Sequence, residues 1–146
     1  MSGFFKSMKI SSSGLAAQRV RMNLLSSNLA NAQTTRTAEG GPYRRKDVVF
    51  SATPVSNEFE DFLDETMHTQ LKSVTVTDIH KDSREPKRVF EPSHPDADQD
   101  GYVSMPNIQI MNEMVNMIAA TRAYEANATA LNDAKDMAMR ALEIGR

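Results

Sequence analysis

The sequence predicts a mainly α protein with a small β insert, in which long N- and C-terminal helices pair as a coiled coil and a β-rich outer domain lies between them. Two observations carry most of this. All six prolines fall between Pro42 and Pro106, and proline breaks helix interiors, so the chain divides into helix, irregular or strand-bearing middle, and helix. Apolar residues then recur at helical spacing in both proline-free ends. The division assigns residues 1–38 and 107–146 to a discontinuous terminal helical domain and residues 39–106 to the insert. At 146 residues the chain has room for one domain. Leu, Ile, Val and Phe together number only 29, so its core is thin, and ten Met make up part of the shortfall with a helix-compatible residue.

The C-terminal segment has the clearest pattern. Ile110, Met114, Met117, Thr121, Tyr124, Ala128, Leu131, Lys135, Ala138 and Leu142 alternate in steps of four and three, and only Thr121 and Lys135 among them are polar. That 3.5-residue repeat reads as a coiled-coil seam, and Gly145 suits the helix stop. In the N-terminal segment Leu15, Met22 and Leu29 are spaced by seven, with Leu25 and Ala32 between them and Gln18 as a polar interruption. Ser11–Gly14 (SSSG) reads as an N-cap or as a soft break after a short first helix.

Length bears on function. A helix over residues 108–144 would run about 55 Å at 1.5 Å per residue, and the N-terminal helix about 35 to 40 Å. A chain of this size cannot cover both, so Met- and Ala-rich surface has to find another chain. The expectation is an obligate assembler whose terminal helices order fully with partners.

In the middle, GGPY (40–43) signals a turn, DVVF (47–50) a short strand, SVTVTDI (73–79) a β-branched strand and KRVFEP (87–92) a further strand. EFEDFLDETM (58–67) spaces Phe59, Phe62 and Leu63 as in a short acidic helix. RRK at 44–46 is read as a charged, solvated strand edge in preference to a dedicated anion contact.

Several function classes lose support. The chain has no cysteine, hence no disulfide, thiolate zinc site or cysteine nucleophile. Its N-terminus lacks a signal peptide's unbroken apolar core, and no stretch reaches the roughly 18 apolar residues of a membrane span. The net charge of −2 hides a basic first 38 residues, with five Lys or Arg and no acid, and an acidic middle. The basic arm is neither dense nor aromatic enough for a nucleic-acid surface. His68, His80 and His94 share no ligand spacing, no serine sits in G-x-S-x-G, and no phosphate loop occurs. The expectation is a non-enzyme without cofactor or metal.

DADQDG, Asp96 to Gly101, is the one stretch that imitates a metal loop. Asp96, Asp98, Asp100 and Gly101 fit positions 1, 3, 5 and 6 of an EF-hand. Position 12 is Asn107, which cannot give the bidentate carboxylate, and Pro92, Pro95 and Pro106 obstruct the flanking helices. A turn is favoured, and a calcium-responsive helical adaptor is the alternative reading. Asn28 and Asn31, in SSNLANAQT (26–34), stay open between two roles: caps of a fraying helix end, or amides that fix register and partner choice.

Four motifs in order, SSNLANAQTTRT (26–37), GGPYRRKDVVF (40–50), HPDADQDGYVSMPN (94–107) and EMVNMIAATRAYEANATALNDAKDM (113–137), resemble the flagellar rod, hook and filament family of axial proteins. The resemblance covers both ends and the flanks of the insert. It implies a structural subunit of the bacterial basal-body rod, packed helically around a central export channel and carrying torque. Implied partners are further copies of the chain, other rod proteins (FlgB, FlgF, FlgG, FliE), the MS-ring and the flagellar type III export apparatus. No nucleic acid and no membrane span are expected. Implied localisation is the rod crossing the periplasm, reached by type III export without a cleaved signal peptide. By position, Asn28, Leu29, Ala30 and Asn31 resemble the family's N-terminal helix motif, and Tyr124, Glu125, Ala126 and Asn127 its C-terminal counterpart. DADQDG is then a family turn.

Overall fold

The computed structural model describes residues 2–55 and 71–144. The order is α1 (Ser2–Ala30), β1 (Lys46–Pro54), β2 (Lys72–Lys81), β3 (Lys87–Phe90), β4 (Tyr102–Met105) and α2 (Ile110–Ile144). The two proline-free ends are single helices of 29 and 35 residues, roughly 44 and 52 Å long. They lie antiparallel. Gly14 meets Asn127, Met22 meets Thr121, and Asn28 meets Glu113, in opposite chain order.

SSSG neither caps nor breaks α1. Ser13 Oγ donates to the Ile10 carbonyl at 2.7 Å and accepts from Val74 N–H of β2 at 3.1 Å. A Cβ on Gly14 would stand 2.8 Å from Asn127 Oδ1. These small residues therefore serve close approach on two sides, and the turn signal they give in isolation is overridden by what packs against them.

The heptad positions read along α2 divide between half-buried and exposed. Met117, Tyr124, Leu131 and Ala138 are half-buried against α1, but the alternate positions are shifted by one residue. Glu113, Ala120 and Ala134 are buried and Asn127 is half-buried, where the pattern reading had Met114, Thr121, Lys135 and Ala128. Met114, Thr121, Lys135, Ile110 and Leu142 are exposed, while Ala128 is half-buried. The shift takes Thr121 and Lys135 out of the contact and brings Glu113 and Asn127 into it. Its cause is size: alanine at the contact lets the helix axes come close, whereas a reading that rewards large apolar residues selects the neighbouring stripe. On α1, Leu15 and Met22 are half-buried and Leu25 is buried, but in the last turn Asn28 takes the inward position and leaves Leu29 exposed.

β1 and β2 form an antiparallel pair from Lys46↔Lys81 to Pro54↔Lys72, with a bulge at Val49/Phe50. Both strands outrun the expected DVVF and SVTVTDI. The pair lies along α1: β2 runs from Val74, at Ser13, to Lys81, whose partner Lys46 is at Asn28. Seven strand residues and fifteen helix residues each span about 22 Å, so the fit is dimensional. Asp47 and Asp78 carboxylates accept the N–H groups of Val48 and Ile79, which occupies donors on a facing pair of the hairpin.

β3 and β4 form a second antiparallel pair, Lys87↔Met105 to Phe90↔Tyr102. β3 falls within the expected KRVFEP; β4, four residues long, carried no such expectation. Its Val103 is fully buried. GGPY is a turn as expected, with Gly40 and Gly41 at φ 87° and 74°. EFEDFLDETM, with His68, lies outside the described residues. Buried apolar side chains among those described are few (Ala17, Leu25, Val55, Val103, Ala120 and Ala134), in keeping with the thin apolar supply.

Candidate functional site

The motif SSNLAN closes α1, and its two asparagines make different sets of bonds. Asn31 is the cap: its Nδ2 donates to the Ser27 carbonyl at 2.9 Å and its Oδ1 accepts from Thr34 Oγ1. Asn28 bonds outside its own helix. It is fully buried, and its amide pairs with Lys46 as a neighbouring strand would, donating to the Lys46 carbonyl at 2.8 Å and accepting from Lys46 N–H at 2.9 Å. The same Oδ1 accepts from Tyr43 Oη at 3.2 Å, and Nδ2 also donates to Glu113 Oε2 at 3.1 Å. One amide thus joins α1, the start of β1 and the first turn of α2.

Glu113, 3% exposed, needs a counter-charge at that depth, and Arg45 supplies it: Nε donates to Glu113 Oε1 at 2.7 Å. Arg45 Nη1 also reaches Asp47 Oδ2 at 2.8 Å. Burial works against the Arg45 charge, but the bonds to Glu113 and then Asp47 outweigh it and raise its pKa. Burial likewise pushes the Asp47 carboxyl up, yet the Arg45 bond and the Val48 N–H hold it below its ordinary value. The expectation of a solvated edge at RRK is therefore corrected for Arg45, which makes the anion contact; Arg44 is exposed and donates to the backbone carbonyls of Asp82 and Arg84.

Tyr43 and Glu113 were not singled out from the sequence. One signal for Glu113 was present: it is the sole acid between Asp100 and Glu125, placed on the apolar first turns of a helix. Asn127, of the second family motif, donates to the Ala123 carbonyl at 2.8 Å and faces Gly14; Tyr124 is half-buried beside it, and Glu125 and Ala126 are exposed. Ala30 is exposed at the end of α1.

DADQDG is a hairpin turn. Asp98 Oδ1 accepts from Asp100 N–H and Tyr102 N–H at 3.0 and 2.8 Å, its Oδ2 from Arg88 Nη2 at 2.7 Å, and Gly101 takes φ 81°. The Tyr102 N–H does most to lower the Asp98 pKa; burial opposes it, and the bonds from Arg88 and the Asp100 N–H add to the lowering. Asp96 Oδ2 accepts from Thr35 Oγ1 at 2.8 Å, tying the loop to the segment that follows α1. The carboxylates of Asp96 and Asp98 are thus committed to bonds within the chain. Among the described residues no three His, Asp or Glu side chains gather to hold a metal, and no helix is long and apolar enough to cross a membrane.

The second feature is what the fold leaves bare. Met111, Met114, Val115 and Ile118 are exposed on one face of α2, Phe5, Met137 and Leu142 at the other end of the helix pair, and Phe90 and Tyr102 stack edge to face on the β3–β4 hairpin. A buried polar node that bonds three elements together, with large apolar side chains outside, describes a subunit shaped for assembly.

Comparison with known proteins identifies the assembly. Residues 8–36 match the family described as flagella basal body rod protein, and residues 99–144 match the flagellar basal body rod FlgEFG protein C-terminal family. The chain is thus a flagellar basal-body rod protein, a structural subunit of the rod. Over 97% of its length it is 43% identical to the flagellar basal-body rod protein FlgC of Borreliella burgdorferi, and 44% identical to that of Bacillus subtilis, covering 97% and 98% of those proteins. It is 39% identical to FlgC of Salmonella typhimurium over 94% of both chains. The chain belongs to the FlgC family.

Proposed function

We propose that the chain serves in the proximal rod, where α1 and α2 pair as a coiled-coil inner domain (1–38 with 107–146) around the export channel and residues 39–106 brace neighbouring subunits outside. In this reading it transmits torque mechanically, catalyses nothing, and reaches its place across the periplasm through the flagellar type III apparatus. Neighbours would be further copies, FlgB, FlgF, FlgG and FliE, with the MS-ring at the base. The observation that carries this is the pairing of a polar node bonded within the chain with exposed Met111, Met114, Val115 and Ile118 beside it: the polar groups of the node are taken up inside, while these apolar side chains are left for others.

The test is Met111→Asp in a strain lacking the native gene. Met111 is exposed, so the purified variant keeps its helical circular dichroism. The expected result is loss of swimming and of the chain from isolated basal bodies. Normal swimming with the variant in place would overturn the reading.

A further inference from the structure

The chain has no cysteine and no tryptophan, which leaves the thioether sulfur of methionine as its most readily oxidised group. It holds ten methionines, and the fold sorts those described into two sets. Met8, Met22, Met105 and Met117 are half-buried. Met111, Met114, Met137 and Met139, all on α2, are exposed, Met111 at 73% the most. Met114 and Met117 are neighbours on one helix and still divide, because Met117 lies against α1. Met22 is sheltered further, its sulfur accepting from the Thr121 hydroxyl at 3.7 Å.

Met111 and Met114 share the start of α2 with exposed Val115 and Ile118, and Glu113, the only charge in residues 110–118, is buried. Oxidation would change this face in kind. A sulfoxide carries an S–O dipole that needs a donor once it is covered, and the side chains of Val115 and Ile118 have none to give. A contact that buries one such group unpaired is weakened about tenfold or more.

Resting on the rod reading above, we propose that Met111 and Met114 form a modification site at which hydrogen peroxide converts the thioether to the sulfoxide, and that a subunit so modified before assembly is refused by the rod. The sulfur lone pair attacks one peroxide oxygen, the S–O bond forms and the O–O bond breaks. The sulfur is oxidised by two electrons, and the departing hydroxide takes the proton left on the bound oxygen and leaves as water. In the rod reading the chain travels outside the reducing cytosol, where peroxide meets exposed sulfur unopposed by a thiol pool. Once assembled, a neighbour covers both sulfurs, so the site records the interval between export and assembly.

The first readout uses the purified full-length chain in dilute hydrogen peroxide, followed by peptide mass spectrometry. Met111 and Met114 are expected to gain one oxygen several-fold faster than Met22 and Met117, with helical circular dichroism unchanged. Equal rates would overturn the site. The second readout is in cells lacking the native gene. Met111→Leu with Met114→Leu keeps the face apolar and closes this chemistry. After a sublethal peroxide pulse during induction of the chain, cells with the native chain are expected to form new basal bodies about tenfold less often than cells with the leucine pair. All other peroxide damage is shared, so equal loss in the two strains would overturn the proposal. Within the native strain, Met111 sulfoxide should be about tenfold scarcer in basal bodies completed after the pulse than in the unassembled pool, and equal levels would overturn it too. Met111→Asp separates this from the rod reading. If that variant is excluded from basal bodies while the two peroxide-treated strains behave alike, the face serves the rod and only the modification site falls. If Met111→Asp assembles normally, the rod reading of this face falls and takes the modification site with it.

Discussion

Asn28 and Glu113, 85 residues apart in the chain, meet at 3.1 Å with both side chains buried. The two ends of the chain are therefore joined by a hydrogen bond to a charge, made inside and surrounded by further bonds to Lys46, Tyr43 and Arg45. Asn28→Ala would remove the amide and leave Glu113 and the Lys46 backbone short of partners at depth. The expected loss is about 3 kcal/mol in urea denaturation, since each stranded buried group costs about 1 to 3 kcal/mol. A loss below about 0.5 kcal/mol would mean that water replaces the amide and that the node does not set the register.

Gly14 offers a test with an unusual sign. In a helix interior, Gly→Ala ordinarily stabilises by about 1 kcal/mol. Here the new Cβ would meet the Asn127 amide, whose Nδ2 is held by the Ala123 carbonyl, so the side chain can move only by giving up that bond. Gly14→Ala should therefore destabilise, and adding Asn127→Ala should recover stability. Additive effects in the double-mutant cycle would contradict the contact.

Asp82 fixes an acid limit at the base of the first hairpin. The Arg84 side chain and then the Arg84 backbone N–H hold its carboxyl down to about 2, against a small opposing cost of burial. Because the folded value lies below the ordinary 3.8, the contribution is present above that value and is lost as pH falls toward 2. The stability difference between the native chain and Asp82→Asn should be flat from neutral pH to about 4 and vanish below it. A carboxyl titration by NMR with its midpoint near 4 would refute the pairing.

How much of this could be read beforehand depends on what a pattern can register. Proline placement and heptad spacing made both helices and the insert legible, and the β-branched run at 73–79 marked β2. Contacts between small residues were not legible: Ala120, Ala134 and Gly14 matter through the space they leave, which no hydrophobicity pattern scores. The polar node was half legible. Asn28 is conspicuous among apolar neighbours, but its partners lie in the insert and 85 residues away, and only folding brings them together. β4 escaped because four residues between a turn glycine and Pro106 carry too little alternation to separate from loop.

The one-residue shift in the α2 seam yields the sharpest contrast between neighbouring positions. Ala134 is 4% exposed against α1, whereas Lys135, which the spacing alone would place in the seam, faces solvent. Ala134→Asp would put a charge and two extra oxygens into a contact sized for a methyl group. It should cost about 3 kcal/mol or more, and the thin core leaves little to absorb it. Lys135→Asp should stay within about 0.5 kcal/mol. Thermal unfolding of the two variants followed by circular dichroism decides the register. If Lys135→Asp proves the damaging change and Ala134→Asp the mild one, the helices pack through the stripe of Met114, Thr121 and Ala128, and the close approach built around Gly14, Ala120 and Asn127 is wrong.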